Sequence, residues 1–182
     1  TVTVDVLAPT PFSGGVLEMG GGQGAADGIR ILSGPGDVTR PQATQVRRLD
    51  AAEFQELAGG QSNVVAAFEL NVGSVAEGRR LVVQLGEQAT NRHFVLARVI
   101  SQNGLDGFEP VERLASNASG TLASVEPASG ERLPGVTGGG QFVLLRMSAP
   151  QGLVSGIARN AQGQLAGGLA MRITGQPWLT FS

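Results

Sequence analysis

The 182-residue chain has no cysteine, no tyrosine and no lysine; aromatic residues make up 4% of it. Without cysteine there are no disulfides, no thiolate nucleophile and no cysteine-based zinc site. With so few aromatics, stacking platforms for bases or sugars are poorly supplied. No run of 18 or more apolar residues occurs, so no segment reads as a membrane-spanning helix and no membrane insertion is expected. Net charge is -2, too small to point to nucleic acid or an anionic membrane surface as partner. All basic residues are Arg, a bias that carries no chemistry of its own. The chain opens on Thr1 rather than Met, which reads as processing or as a piece of a longer protein.

What is present is glycine, 28 residues of it, with no G-x-y period. The glycines fall between short apolar runs, as turns do between strands. Thr1 to Leu7 alternates, with Val2, Val4 and Val6 on one face, and reads as a half-buried strand. Further strands are expected at 28–32, 45–49, 63–72, 80–85, 93–101, 108–114, 121–125 and 141–147. Asn103-Gly104 marks a tight hairpin reversal. Phe12 to Ala26 is too glycine-rich to predict an element and reads as a loop. Strands recur every 10 to 15 residues or so with no helix between successive ones, which favours an antiparallel β-sandwich over an α/β fold.

One short helix is expected, Ala51 to Ala58. Asp50 supplies the N-cap and Glu53 stands at the capping-box position. Leu49 and Phe54 occupy the two staple positions, and Gly59-Gly60 supplies the stop. Ala149-Pro150-Gln151-Gly152 is the best boundary, giving a larger unit over 1–149 and a terminal unit over 150–182.

Chemistry-bearing groups are sparse. His93 is the single histidine, and no G-x-S-x-G elbow accompanies it; it reads as a residue at the start of an edge-exposed strand. Gly20-Gly21-Gly22-Gln23-Gly24 looks like a phosphate loop but lacks the following Lys and Ser/Thr. Asn103, Asp106 and Glu109 offer oxygen ligands in what reads as a loop, too few for calcium. Asp50, Glu53 and Glu56 are explained by the helix start. Arg47-Arg48 and Arg79-Arg80 are short basic doublets. Trp178, the sole Trp, reads as core near a strand start, with sugar stacking as the competing role. Asn117-Ala118-Ser119 fits a glycosylation sequon. No catalytic, cofactor-binding or metal-ligating residue is assigned.

The stretch from Gly152 to Ala170 resembles the opening of a carboxypeptidase regulatory-like domain, a transthyretin-like β-sandwich. Val154, Gly156, Ile157, Gly163, Gly167 and Leu169 hold the family's V-x-G-x-V…G-x-P-L-x-G-A-x-V places. Gln164-Leu165 departs from it, since the Pro usual between those positions is missing. The family continues with an Asp-x-x-Gly-x-Phe/Tyr segment, so the terminal unit reads as incomplete. Phe68 to Leu85 resembles the strand–turn–strand of ZU5-like and related Ig-like surface domains. These resemblances imply an all-β, Ig-like or transthyretin-like sandwich in a bacterial secreted or cell-surface protein. They imply a non-catalytic structural or protein-interaction module, with a protein partner or self-association by strand addition. The competing expectation is a carbohydrate-binding module attached to an extracellular hydrolase, which demands exposed aromatics. A hydrolase using His93 is the third.

Overall fold

The computed structural model describes residues 15–18, 30–33, 45–60, 62–72, 75, 82–84, 93–102, 104–116, 122–125, 133–150, 152, 157–167, 170–173 and 177–181. The expected Thr1 to Leu7 strand, the Gly20 to Gly24 loop, Arg79-Arg80, Asn103 and the Asn117 sequon lie outside them. The fold is all-β and mostly antiparallel, with one short helical segment. In chain order the strands are β1 (Gly15–Glu18), β2 (Arg30–Ser33), β3 (Gln45–Leu49), β4 (Ser62–Asn71) and β5 (Val82–Gln84). They continue with β6 (His93–Gln102), β7 (Leu105–Ser116), β8 (Leu122–Ser124), β9 (Gly140–Met147), β10 (Ala170–Arg172) and β11 (Leu179–Phe181). The first falls within the glycine-rich stretch expected to be a loop, where Val16-Leu17 pairs with Ile31-Leu32.

Six strands form the main sheet, in the order β3-β4-β9-β6-β7-β8. Strand β9 enters between β4 and β6, so the two most buried neighbours in the sheet are far apart in sequence. Its run Phe142-Val143-Leu144-Leu145 is 0% exposed on every residue. Phe94-Val95-Leu96-Ala97 in β6 is buried likewise. A strand with one wet face alternates apolar with polar residues; a continuous apolar run belongs to a strand covered on both faces. Partners in register place Phe68, Phe142, Leu96 and Leu144 on one face, and Ala67, Val143, Ala97 and Leu145 on the other. Each face carries its own apolar cluster.

On the first face Phe68 and Phe142 stack, ring centroids 5.5 Å apart and planes inclined by 19°. The Arg98 guanidinium lies 5.6 Å from the Phe142 centroid, so a cation covers the ring face where its quadrupole is negative. In register this is one row across the sheet: Arg48, Phe68, Phe142, Arg98 and Glu109.

The second face is covered by the helical segment, a 3₁₀ turn over Ala51–Phe54 running into α1 (Gln55–Ala58). The Asp50 side chain accepts from the Ala52 N–H at 2.9 Å, capping the turn. Gly59 ends it at φ 68°, in the left-handed region that glycine enters without a Cβ clash. Leu49, Phe54 and Leu57 pack against the second-face cluster, so the residues expected to staple the segment also anchor it to the sheet.

Gln55 ties this segment to β4. Its Nε2 donates to the Ser62 carbonyl at 3.0 Å and its Oε1 accepts from the Val64 N–H at 2.9 Å. The register of β4 against β9 slips between Val64 and Ala66, and a bulge leaves backbone groups without ladder partners. Gln55 satisfies two of the backbone groups beside it. Replacing Gln55 by Ala removes both hydrogen bonds, and we expect a loss of about 1–3 kcal/mol in urea unfolding, with Gln55→Glu losing the donated bond only.

Candidate interaction edges of the sheet

The two long edges of the six-stranded sheet are treated differently. On one side β8 covers only the end of β7, pairing Leu114, Ala115 and Ser116. The rest of that edge is met by separate segments. The Val125 N–H donates to the Arg113 carbonyl at 3.0 Å and the Gly135 N–H to the Val111 carbonyl at 2.8 Å. Further along, the Phe108 N–H donates to the Pro177 carbonyl at 2.9 Å, and Phe108 and Trp178 form a parallel bridge. The backbone groups of β7 are thus engaged piecewise, which removes a template for another chain's strand.

The opposite edge is β3. Among the described residues it pairs with β4 alone, from Gln45↔Asn71 to Leu49↔Ala67. Val46 packs against the first-face cluster and Leu49 against the second, so this five-residue edge is fastened by one apolar contact on each side. Arg47 and Arg48 are exposed between them. Arg47 Nε donates to Glu69 Oε2 at 2.9 Å across the strand pair. Its side chain is 57% exposed, so the ion pair contributes at most about 1 kcal/mol and serves mainly to lay the arginine along the sheet.

His93 stands exposed at the start of β6, opposite Ala115 on one side and Met147 on the other. Neither neighbour can relay a proton. The nearest hydroxyl in that register row, Ser62 beyond Met147, donates to the Ala58 carbonyl at 3.1 Å and is spent there. Asp106 and Glu109 are not in a loop: both belong to β7. The Gln102↔Leu105 pairing closes the hairpin in two residues, with Gly104 at φ 74°, so Asp106 is already strand. Three residues apart in a strand, the two carboxylates point to opposite faces and cannot share an ion. Asp50, Glu53 and Glu56 are exposed at the helical segment, and no group of three possible metal ligands forms among the described residues.

Phe68, Phe94, Phe108 and Phe142 are buried, while Phe54 and Trp178 are half-buried against the second-face cluster. These rings build the core; among the described residues they do not form an exposed row on which a sugar could stack. Trp178, expected in the core, packs half-buried at its margin against the second-face cluster, and its partner strand could not be read from the sequence.

The terminal stretch contains a self-contained turn. Asn160 Oδ1 accepts from the N–H groups of Gln162 and Gln164, both at 3.0 Å, and Gly163 takes φ 77°. Arg159 and Leu165 bridge across it. The Asn160 side chain therefore fixes this turn by its own hydrogen bonds. Comparisons with family models, with curated proteins and with solved structures find no match to this chain.

Proposed function

We propose that this chain is a non-catalytic structural or protein-interaction module of a bacterial extracytoplasmic protein, and that it associates by strand addition along β3. The observation that carries the reading is the contrast between edges: β7 is engaged along its length, while β3 pairs on one side only among the described residues. An edge strand offers a row of backbone donors and acceptors that an extended segment can complete. The sheet behind β3 is buried on both faces, so the edge is held rigidly and little ordering is needed on binding.

The donor is a second copy of this chain. Thr1 to Leu7 has the alternation of an extended donor, carries Asp5 and no basic side chain. A contact between Thr1 to Leu7 of one molecule and the β3 edge of the next is head-to-tail and propagates into a filament unless rotation closes it.

The test uses proline at two adjacent positions. Along an edge strand successive N–H groups point alternately to the neighbour and outward. Proline at the outward position blocks strand addition while leaving the β3–β4 ladder intact. Of Arg47→Pro and Arg48→Pro, one is expected to stay folded and lose concentration-dependent association in light scattering, and the other to be destabilised. A wild-type chain that is monomeric at every concentration contradicts the reading.

A further inference from the structure

A strand that adds to β3 meets five side chains in a fixed pattern. Val46 and Arg48 lie on the first face, in register with Leu70 and Phe68; Gln45, Arg47 and Leu49 lie on the second. Val46 and Leu49 are the half-buried apolar contacts, one on each face. Arg47 already donates from Nε to Glu69 Oε2, so an acid brought against Arg47 sets two carboxylates on one cation. Arg48 is the other charge of the edge; it is exposed, and its register row runs through the stacked Phe68 and Phe142.

Every ladder of the six-stranded sheet is antiparallel, and antiparallel pairing is slightly more stable per residue than parallel pairing. An antiparallel neighbour that continues the pattern puts an apolar residue against Leu49, an acid against Arg48 and an apolar residue against Val46. Along the donor this demands an acid with an apolar residue just before it and another two positions after it. Of the 15 acidic residues, Asp5, Asp106, Glu109 and Glu112 stand between residues of valine size or larger at those places. The last three belong to β7, which is paired with β6 in the same molecule. Val4-Asp5-Val6-Leu7 is the remaining match.

We propose that the Thr1 to Leu7 segment of one copy adds to β3 of the next in antiparallel direction, in the register Val4↔Leu49, Asp5↔Arg48, Val6↔Arg47 and Leu7↔Val46, and that Arg48 selects the donor. The proposal rests on β3 being an acceptor edge, and adds the direction, the register and the selecting charge. Register is strongly specified because a slip of one residue exchanges the faces of every side chain. In the slipped antiparallel register Thr3 meets Leu49, and Asp5 meets Arg47 beside Glu69. Both apolar contacts and the charge contact are met together only in the unslipped one.

Charge reversal tests this on the 182-residue chain, followed by light scattering over a range of concentrations. Asp5→Arg and Arg48→Asp each set like charges opposite one another. Each is expected to associate about five- to tenfold more weakly than wild type. The double variant Asp5→Arg/Arg48→Asp is expected to return to the wild-type level. The chain has no cysteine, so a copy with Asp5→Cys and a copy with Arg48→Cys carry one thiol each. Mixed under oxidation, they are expected to cross-link faster than Asp5→Cys with Arg47→Cys, which decides the register should a reversed variant fail to fold. A wild-type chain that does not associate overturns the acceptor edge and the register together. Association that is unchanged in both single variants, or rescue of Asp5→Arg by Arg47→Asp instead, leaves the β3 edge as acceptor and overturns the register proposed for it.

Discussion

Phe142→Ala is expected to lower the stability of the folded chain by about 3–5 kcal/mol. The ring is 0% exposed, stacks on Phe68 and lies under the Arg98 guanidinium. Truncation removes the transfer free energy of a buried ring and leaves a cavity between β4 and β6, in the middle of the sheet where neighbours cannot collapse inward. It also strips Arg98 of the ring that covers its charge, and Arg98 Nε is buried with no hydrogen-bond partner among the described residues. A half-buried cation without that support costs more than the apolar volume alone. Phe142→Leu keeps most of the volume and loses the ring face, so its loss relative to wild type in chemical unfolding measures mainly the aromatic and cation contribution, and the further loss in Phe142→Ala measures the apolar volume. A Phe142→Ala loss under about 1 kcal/mol would mean that the site is not the packed centre described.

The second large effect is expected at Gly139, just before β9. A Cβ built there comes within 2.8 Å of the Leu70 carbonyl oxygen and 3.4 Å of the Val72 nitrogen. These are backbone atoms at the end of β4, unable to rotate away. Gly139→Ala must therefore push β9 from β4 where the pair begins, at Leu70↔Gly140. We expect a cost of about 1–3 kcal/mol, the range for overpacked sites. Gly138→Ala is the internal control, because a Cβ at Gly138 meets nothing within 4 Å. Its effect should be near zero or slightly stabilising through the unfolded chain. Equal losses at the two positions would refute the steric account.

These two sites also mark what the sequence does and does not reveal. Local chemistry was legible. Gln45 to Leu49 is a strand with those bounds, and Asp50 and Gly59 delimit the helical segment as capping residues do. Asn103-Gly104 joins the longest hairpin. The placement of β9 between β4 and β6 was not legible, because it depends on pairing across the chain and no local residue encodes it. The same holds for Trp178: its apolar bulk indicated core, whereas the parallel bridge to Phe108 arises only when the terminal segment folds back. Gly15 to Glu18 was hidden for another reason. Its four residues sit among glycines that weaken any propensity signal, and pairing with β2 overrides it. Asp106 reads as loop because the strand after the Asn103-Gly104 reversal is expected only from Phe108, whereas β7 begins at Leu105, directly after the turn.

The interaction reading follows from edges rather than from a cleft. His93 has Ala115 and Met147 as cross-strand neighbours, and the carboxylates Asp106 and Glu109 fall on opposite faces of one strand. The two edges carry different occupants in this account, which makes them separable: the β3 contact depends on concentration, and the β7 contact is filled within each molecule. Amide hydrogen exchange on the 182-residue chain at rising concentration tests this most directly. Strand addition predicts that the outward amides of Gln45 to Leu49 slow as concentration rises, while the Phe108 amide is protected throughout. If exchange in β3 is fast and identical at every concentration, the edge accepts no strand from another copy, and the proposed mode of association is wrong.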